Sequence, residues 1–462
     1  MYFCDSFPIK IGMRPLSSGG RSKNFACHIV RITRQLFEKP DFQKKHRARA
    51  EDFTRQRALS FSRVVLLLLQ KTVRSIQLHL HDFFRELGES IDSVTASAWT
   101  QARAKLKHTA FIELNQGAIL DQVYASGSAF EARCWRGHRL LAVDSSLLRL
   151  PNEEEIGRTF GWVECENQKG SCGRYAQGRL SVLTDVLNRM AIQSLLVNWK
   201  QGERSLACEH LQVMKPMDLA LLDRGFAAYE LFAEFIQAQR LFLCRCPASS
   251  FAAANALFAA NRAGRSVIVK LRPTNGAMGL VRARNLPEEI TVRFVSVRLS
   301  TGELEVLATN LLEESKYPTD LFGELYGHRW GIETYYGLLK GRLNLENFSG
   351  RTVESVFQDV HATIFLSNFE SVITRDSADQ LKADSVEHKH SKDVNRAVSF
   401  HAIKSRIVDL LLGSQPIEEV LPQIERLFLQ NPVSIRARDT PRKKISAWRS
   451  YHYHRTERKV VF

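Results

Sequence analysis

Between residues 138 and 246 the apolar positions change period several times. HRLLAVDSS (138–146) is a short apolar run that predicts a β-strand ending in Asp144. RLSVLTDVLNRMAIQSLLVNW (179–199) predicts two strands around a turn at Leu187-Asn188-Arg189. GERSLACEHLQVM (202–214) is helical in pattern, and DLALLDRGF (218–226) is a short buried strand containing Asp223. A helix, AAYELFAEFIQAQ, and another strand, RLFLCRC, follow. The predicted order is β, β, β, α, β, α, β. After it, residues 248–320 form a separate β-rich block (VIVKL, ITVRFVSVRL, LEVLATNL).

The flanks carry helical spacing. Residues 1–135 are mainly helical after a loose start, and no internal repeat is visible. Within them Asp92-Ser93-Val94-Thr95 caps ASAWTQARAKL, where Ala98, Ala102 and Leu106 share one face and Gln101, Arg103, Lys105 and Lys107 lie on others. Such a helix fits a DNA-docking element or a generic amphipathic helix. A single helix is predicted over YGHRWGIETYYGLLKGRLNLENFSG (326–350), with helix continuing to about Ser371. TRDSADQLKADSVEHKHSKDVNRA reads as an exposed linker, and helical patterning returns from Ala397 to Gln430. The domain boundaries that follow are 1–135, 136–247 with 321–371, 248–320, and 372–462.

A chain of 462 residues with 44% hydrophobic content is long enough for two or three globular domains. Its longest aliphatic run, Val64 to Leu69, falls far short of the roughly 20 apolar residues that cross a bilayer, so no membrane partner and a cytoplasmic home are expected. Eight scattered cysteines suggest reduced thiols, and the spacings Cys165/Cys172 and Cys244/Cys246 do not match a zinc knuckle.

Net charge is +16, which suggests a polyanionic partner, and its distribution sharpens the picture. Residues 1–80 carry 16 basic against 5 acidic residues, and residues 436–459 carry 9 against 2, so the middle is nearly neutral. The C-terminal stretch interleaves Trp448, Tyr451 and Tyr453 with its cations, as suits phosphate contact with base stacking, or serves as a solubilising tail.

Asp144 and Asp223 stand where open α/β sheets build their sites, at the carboxyl ends of strands. Taken singly they also read as a turn residue and a helix N-cap. On an ideal helix Tyr326, Arg329, Glu333 and Lys340 fall within a stripe about 60° wide. Alone, that stripe is also an ordinary solvated face with an Arg329–Glu333 ion pair. If Glu333 joins the two aspartates, three close carboxylates repel by roughly 4 kcal/mol per pair at an effective dielectric near 20. Bound cations relieve this, and all-oxygen ligands favour Mg²⁺ or Mn²⁺, a pair of which can drive in-line displacement at phosphorus.

These pieces together resemble a known family, the DDE transposases of bacterial insertion sequences, in the insertion sequence four type branch. The Tyr-Arg-Glu-Lys signature of that branch is matched at every step by Tyr326, Arg329, Glu333 and Lys340. LLAVDSSLLRLPN, LALLDRGF, VTASAWTQARAKL and NRAVSFHAIKSRIVDLLL also resemble family segments, so the likeness runs from about residue 78 to 430. It implies an α/β fold with a ribonuclease-H-like catalytic core interrupted by a β-rich insertion at 248–320, between mainly helical flanks. By position it implies that Asp144, Asp223 and Glu333 are catalytic and hold two Mg²⁺ ions, for which Mn²⁺ substitutes. Tyr326, Arg329 and Lys340 are then implied to grip the phosphates and end nucleotides of double-stranded DNA, in a homodimer. The implied activity is 3′ strand cleavage at the inverted-repeat ends of the element and strand transfer into target DNA. A transposase-derived DNA-binding protein that no longer cuts is the alternative. Two departures stand out: Ser145 replaces the Gly usual after the first aspartate, and no Trp lies between Trp199 and Trp330 to hold a flipped base as in some members, so either an aromatic such as Phe294 serves or hairpin chemistry is absent.

Overall fold

The computed structural model describes residues 23–71, 74–89, 94–166, 172–299, 302–413 and 415–435, which fall into two units. One comprises 133–149 and 157–336; the other takes the described parts of 1–132, 150–156 and 337–462. The basic C-terminal stretch, residues 1–22 and the side chains of Cys165 and Cys172 lie outside the described residues.

The first unit is a mixed α/β structure around a nine-stranded sheet. Its strands are β1 (Arg139–Arg149), β2 (Trp162–Glu166), β3 (Cys172–Asp185), β4 (Met190–Asn198), β5 (Asp218–Leu222), β6 (Leu241–Cys246), β7 (Ser266–Leu271), β8 (Ile290–Arg298) and β9 (Leu304–Thr309). They are ordered β2-β3-β1-β5-β6-β9-β8-β7, with β4 also paired to β3. Pairs β1/β5 and β5/β6 are parallel and the rest antiparallel. The predicted elements are found as β1, β3, β4, β5 and β6 with the helices Glu203–Leu211 and Tyr229–Gln237 and the turn before Met190, but the Glu154–Phe160 helix and β2 stand unpredicted between β1 and β3.

Parallel strands covered by helices need unbroken apolar runs, and β5 buries all five of its residues. The helix between β5 and β6 lays Phe232 and Phe235 on Phe242, with ring centroids 4.6 and 5.8 Å apart. At the starts of β1 and β5, Arg139 donates twice to Asp218, at 2.8 and 2.6 Å, across their register position. That buried fork fixes the alignment of the two strands that carry the aspartates.

Two expectations change here. β1 does not end at Asp144 but runs on to Arg149, because its antiparallel pairing with β3 continues after its parallel pairing with β5 stops at Ala142. Residues 248–320 are not a separate block either: β9 pairs with β6 and β8 with β9, so the segment extends the sheet. Without it the buried edge of β6 would have no partner for its backbone groups. Two helices, Ala252–Ala260 and Asn275–Ala283, also belong to this segment.

The second unit is helical, with a two-stranded sheet pairing Lys392–Val394 with Pro432–Ser434. At its centre is the Val353–Ile373 helix, begun by a capping box between Thr352 and Ser355 and buried on nearly every face. No described helix is long and apolar enough to cross a membrane. The expected linker after Thr374 is instead the Arg375–Asp384 helix and the short strand, which bury Ala378, Leu381, Asp393 and Val394. Its few apolar residues sit at helical spacing, enough to dock a short element despite the polar composition.

The Ala96–Arg103 helix forms behind the predicted cap, Thr95 accepting from the Ala98 N–H at 3.2 Å. Arg103, expected on a basic outer face, is buried instead. It donates to Asp359 at 3.0 Å, Gln358 at 2.7 Å, Ser349 at 2.6 Å and the Ser355 carbonyl at 2.8 Å.

Each unit buries a neutral histidine. His210 lies between Ser181 Oγ and Gln193 Oε1, and burial lowers its pKa to about 4. His361 is lowered to about 3, first by burial and then by the stacked His108. The unfolded chain therefore binds more protons than the folded one from the ordinary value of 6.5 down to these values. Stability is expected to fall as pH falls through that window, by about 1.4 kcal/mol per pH unit for each histidine. Urea midpoints followed against pH test this: His361→Phe should make the slope shallower by about one proton's worth, and an unchanged slope would contradict it.

Candidate active site

The two aspartates come from neighbouring parallel strands. The last paired residues are Ala142 and Leu221, so continuing the register two steps sets Asp144 level with Asp223, on strands about 4.8 Å apart. Residues level with each other project from the same face of a sheet. Asp223 directly follows β5 and precedes a single 3₁₀ turn, Arg224–Phe226, but its side chain makes no capping bond, which leaves it available. Asp144 Oδ1 accepts from the Ser145 N–H at 2.8 Å. Burial pushes the Asp144 carboxyl up to about 6, against the opposing pull of that hydrogen bond and of Arg329.

Glu333 arrives on the Trp330–Gly337 helix. One turn later, Tyr336 inserts its hydroxyl 2.9 Å from the carbonyl oxygens of both Asp144 and Leu180, bridging β1 and β3. Gly331 sits close over the turn after β3; a Cβ there would lie 3.0 Å from the Val186 Cβ. These two contacts seat the helix that carries Glu333 on the sheet, with Tyr336 against Asp144.

The single long helix expected over 326–350 is broken. Tyr326 belongs to the Leu321–Gly327 helix; the chain then makes tight turns, with the Arg329 and Gly331 N–H groups bonded to the Tyr326 and His328 carbonyls. A π-helical stretch, Leu338–Arg342, follows Gly337, and Leu343–Gly350 is not helical. A regular 100° step therefore does not relate the four residues. Tertiary contacts do bring Tyr326, Arg329 and Glu333 together. The Tyr326 hydroxyl donates to Asp223 Oδ1 at 3.3 Å, and Arg329 donates to Glu333 Oε1 at 2.9 Å. The Arg329 guanidinium also lies 5.7 Å from the Tyr326 ring centroid. Both Tyr326 and Arg329 are buried, at 3% and 4% exposed, so the stripe is not a solvated face. Lys340 lies in the π-helical stretch of the other unit and pairs with Glu346 at 3.6 Å.

Electrostatically, Arg329 serves all three carboxylates. Burial opposes its charge, yet Tyr326, Asp223 and Glu333 raise its pKa overall, and it in turn lowers that of Asp144. Among the described residues no three His, Cys, Asp or Glu side chains converge closely enough to hold one metal ion. As a donor set, three carboxylates and no thiol or imidazole suit a hard cation such as Mg²⁺ or Mn²⁺.

Two residues missed by sequence reasoning, Glu203 and Arg179, hold Ser145 beside Asp144. Ser145 Oγ donates to Glu203 at 2.5 Å, and Arg179 donates to both Ser145 Oγ and Glu203, at 2.8 and 2.6 Å. The Ser that replaces the usual Gly thus ties the strand to the Glu203–Leu211 helix. Phe294 is fully buried against Phe251 and cannot receive a flipped base. Cys27, Cys208, Cys244 and Cys246 are free thiols.

The family model for the transposase DDE domain matches residues 135–369, half of the chain. The chain belongs to the DDE transposases, a family of enzymes that act on DNA. The transposase InsG of insertion sequence element IS4 from Escherichia coli (strain K12) is 23% identical over 225 residues, which are 48% of this chain and 49% of that protein. The chain thus spans about half the length of this curated relative. The cryo-EM structure of a piggyBac transposase synaptic complex with hairpin DNA aligns over 90% of this chain and 87% of its own, at 12% identity and a TM-score of 0.43.

Proposed function

We propose that this protein is the transposase of its own insertion sequence: it binds the inverted-repeat ends, cleaves the 3′ strand and joins the freed 3′-OH to target DNA. The observation that carries this reading is the register of β1 and β5, which, continued two residues past its last pair, sets Asp144 level with Asp223, while Tyr336, one turn after Glu333, bonds the Asp144 carbonyl. The sheet from β1 to β6 is read as a ribonuclease-H-like core, which β7 to β9 extend. Asp144, Asp223 and Glu333 would hold two Mg²⁺ ions, or Mn²⁺ in their place. When bound, the ions supply Lewis-acid polarisation of the phosphate and a water acidic enough to attack it.

The protein's own part is positional. The Arg139–Asp218 fork and the Ser145–Glu203–Arg179 network hold β1 against its neighbours, and burial disfavours the charge of Asp144. Cleavage and joining share one in-line geometry, so one triad serves both. Tyr326, Arg329 and Lys340 are read as groups that grip the DNA ends, Arg329 by a two-pronged hold on phosphate and Lys340 as a point charge. Synapsis of two ends calls for a homodimer on DNA, working in the cytoplasm where the nucleoid is reached.

Anisotropy titrations with duplex from the gene's own flanks, at several salt concentrations, test the binding half of this reading. Wild-type protein should prefer flank sequence to unrelated duplex. Lys340→Ala should bind more weakly, with a log–log salt slope shallower by about 0.9, one phosphate's worth. An unchanged slope would place Lys340 away from DNA, and no preference for flanks would contradict the reading itself.

A further inference from the structure

Arg329 is arranged unlike a surface ion-pair partner. Its side chain is 5% exposed, it has one carboxylate bond, to Glu333, and it lies 5.7 and 5.2 Å from the ring centroids of Tyr326 and Trp330. Its Nε is buried with no hydrogen-bond partner among the described residues. A buried guanidinium with an orphaned N–H is costly, and such an arrangement persists only where the surroundings demand the charge. The demand here is plain. Asp144, Asp223 and Glu333 all lie within electrostatic reach of Arg329, and Tyr326, whose hydroxyl bonds Asp223, is the ring beneath it. Arg245, another cation near Asp223, is committed to Glu305.

We infer that Arg329 is the triad's internal counter-cation, competing with the divalent metal for the same carboxylates until DNA phosphate draws it away. This rests on the triad being the metal ligands, as proposed above. Glu333 Oε1 cannot serve a guanidinium and a metal ion at full strength together, and two cations on one set of acids repel. Metal affinity of the DNA-free protein is therefore reduced by the work of displacing Arg329. A released guanidinium offers five N–H donors to a phosphate, including the Nε that lacks a partner when buried. Linkage then makes metal and DNA ends bind cooperatively, so the cutting centre completes itself where DNA is present.

The test is Mn²⁺ binding to the full-length, DNA-free protein by calorimetry, with melting temperatures taken in chelator and in Mn²⁺. Arg329→Gln should bind Mn²⁺ roughly tenfold or more tightly than wild type, the size of a typical coupling between two binding events. It should also melt lower in chelator and gain more from Mn²⁺. Arg329→Lys, which keeps the charge, should stay close to wild type. Arg329→Met preserves the apolar stem and stands in if the Gln variant fails to melt cooperatively. Unchanged Mn²⁺ affinity in both neutral variants, with binding abolished by Asp223→Asn, would overturn the competition and leave the triad standing. Mn²⁺ binding indifferent to Asp223→Asn would remove the metal site, and this inference with it.

Discussion

Replacing Asp144 with Asn is expected to lower metal-dependent DNA strand cleavage by at least about 10³-fold, several kcal/mol of lost transition-state stabilisation. The fold should survive. Asn retains the oxygen that accepts the Ser145 N–H, and the backbone carbonyl that meets Tyr336 is untouched. It also removes a charge whose burial pushes its carboxyl up to about 6. The folded-state pKa lies above the ordinary 3.8, so the folded protein binds the proton more tightly and ionisation costs stability as pH rises through that range. Near neutral pH the metal-free Asn variant should therefore melt at or above the wild-type temperature. Strand nicking and melting measured on the same preparation decide the matter. Full activity would remove Asp144 from the triad, and a collapsed melting temperature would make it a structural residue.

The second large effect lies in the helical unit. Arg103→Met takes one partner from a buried pair and leaves Asp359, with no exposure, facing only Ser349. Breaking such a pair from one side costs about 3–5 kcal/mol. Gln358 and the Ser355 carbonyl lose their donor as well. Adding Asp359→Leu to the same chain should recover much of the loss, because the stranded charge is then gone. Denaturant unfolding of the two variants checks this, and a loss under about 1 kcal/mol for the single variant would mean the network carries little.

Arg103 also shows where sequence reading stops. Its spacing put it opposite Ala98 and Ala102, on a face that composition alone marks as wet. Only the fold reveals that residues 349–359 come back to cover that face. The apolar runs from Leu140 to Cys246 were legible because local pattern decides strand or helix there. The antiparallel return of β9 onto β6 was not, since pairing between strands about 60 residues apart leaves no periodic mark. Asp144 and Asp223 became candidates through the apolar runs that lead into them. Glu333 was found through a helical stripe that the turns at His328–Gly331 and the π-helical step disrupt, so proximity of Tyr326, Arg329 and Glu333 comes from packing. Tyr336 left a signal that was overlooked: it stands three residues after Glu333 and so shares its face. Glu203 and Arg179 left none, because their link to Ser145 depends on β1/β3 register and on where the following helix lands.

The most direct test of the account is cleavage of a plasmid carrying the gene with its native flanks, in Mg²⁺ and in Mn²⁺, by wild-type protein and by Glu333→Gln. Strand breaks at the element's boundaries that require the metal and vanish with Glu333→Gln, while the variant still binds those boundaries, are the predicted result. Boundary binding without cleavage by the wild-type protein in either metal would contradict it.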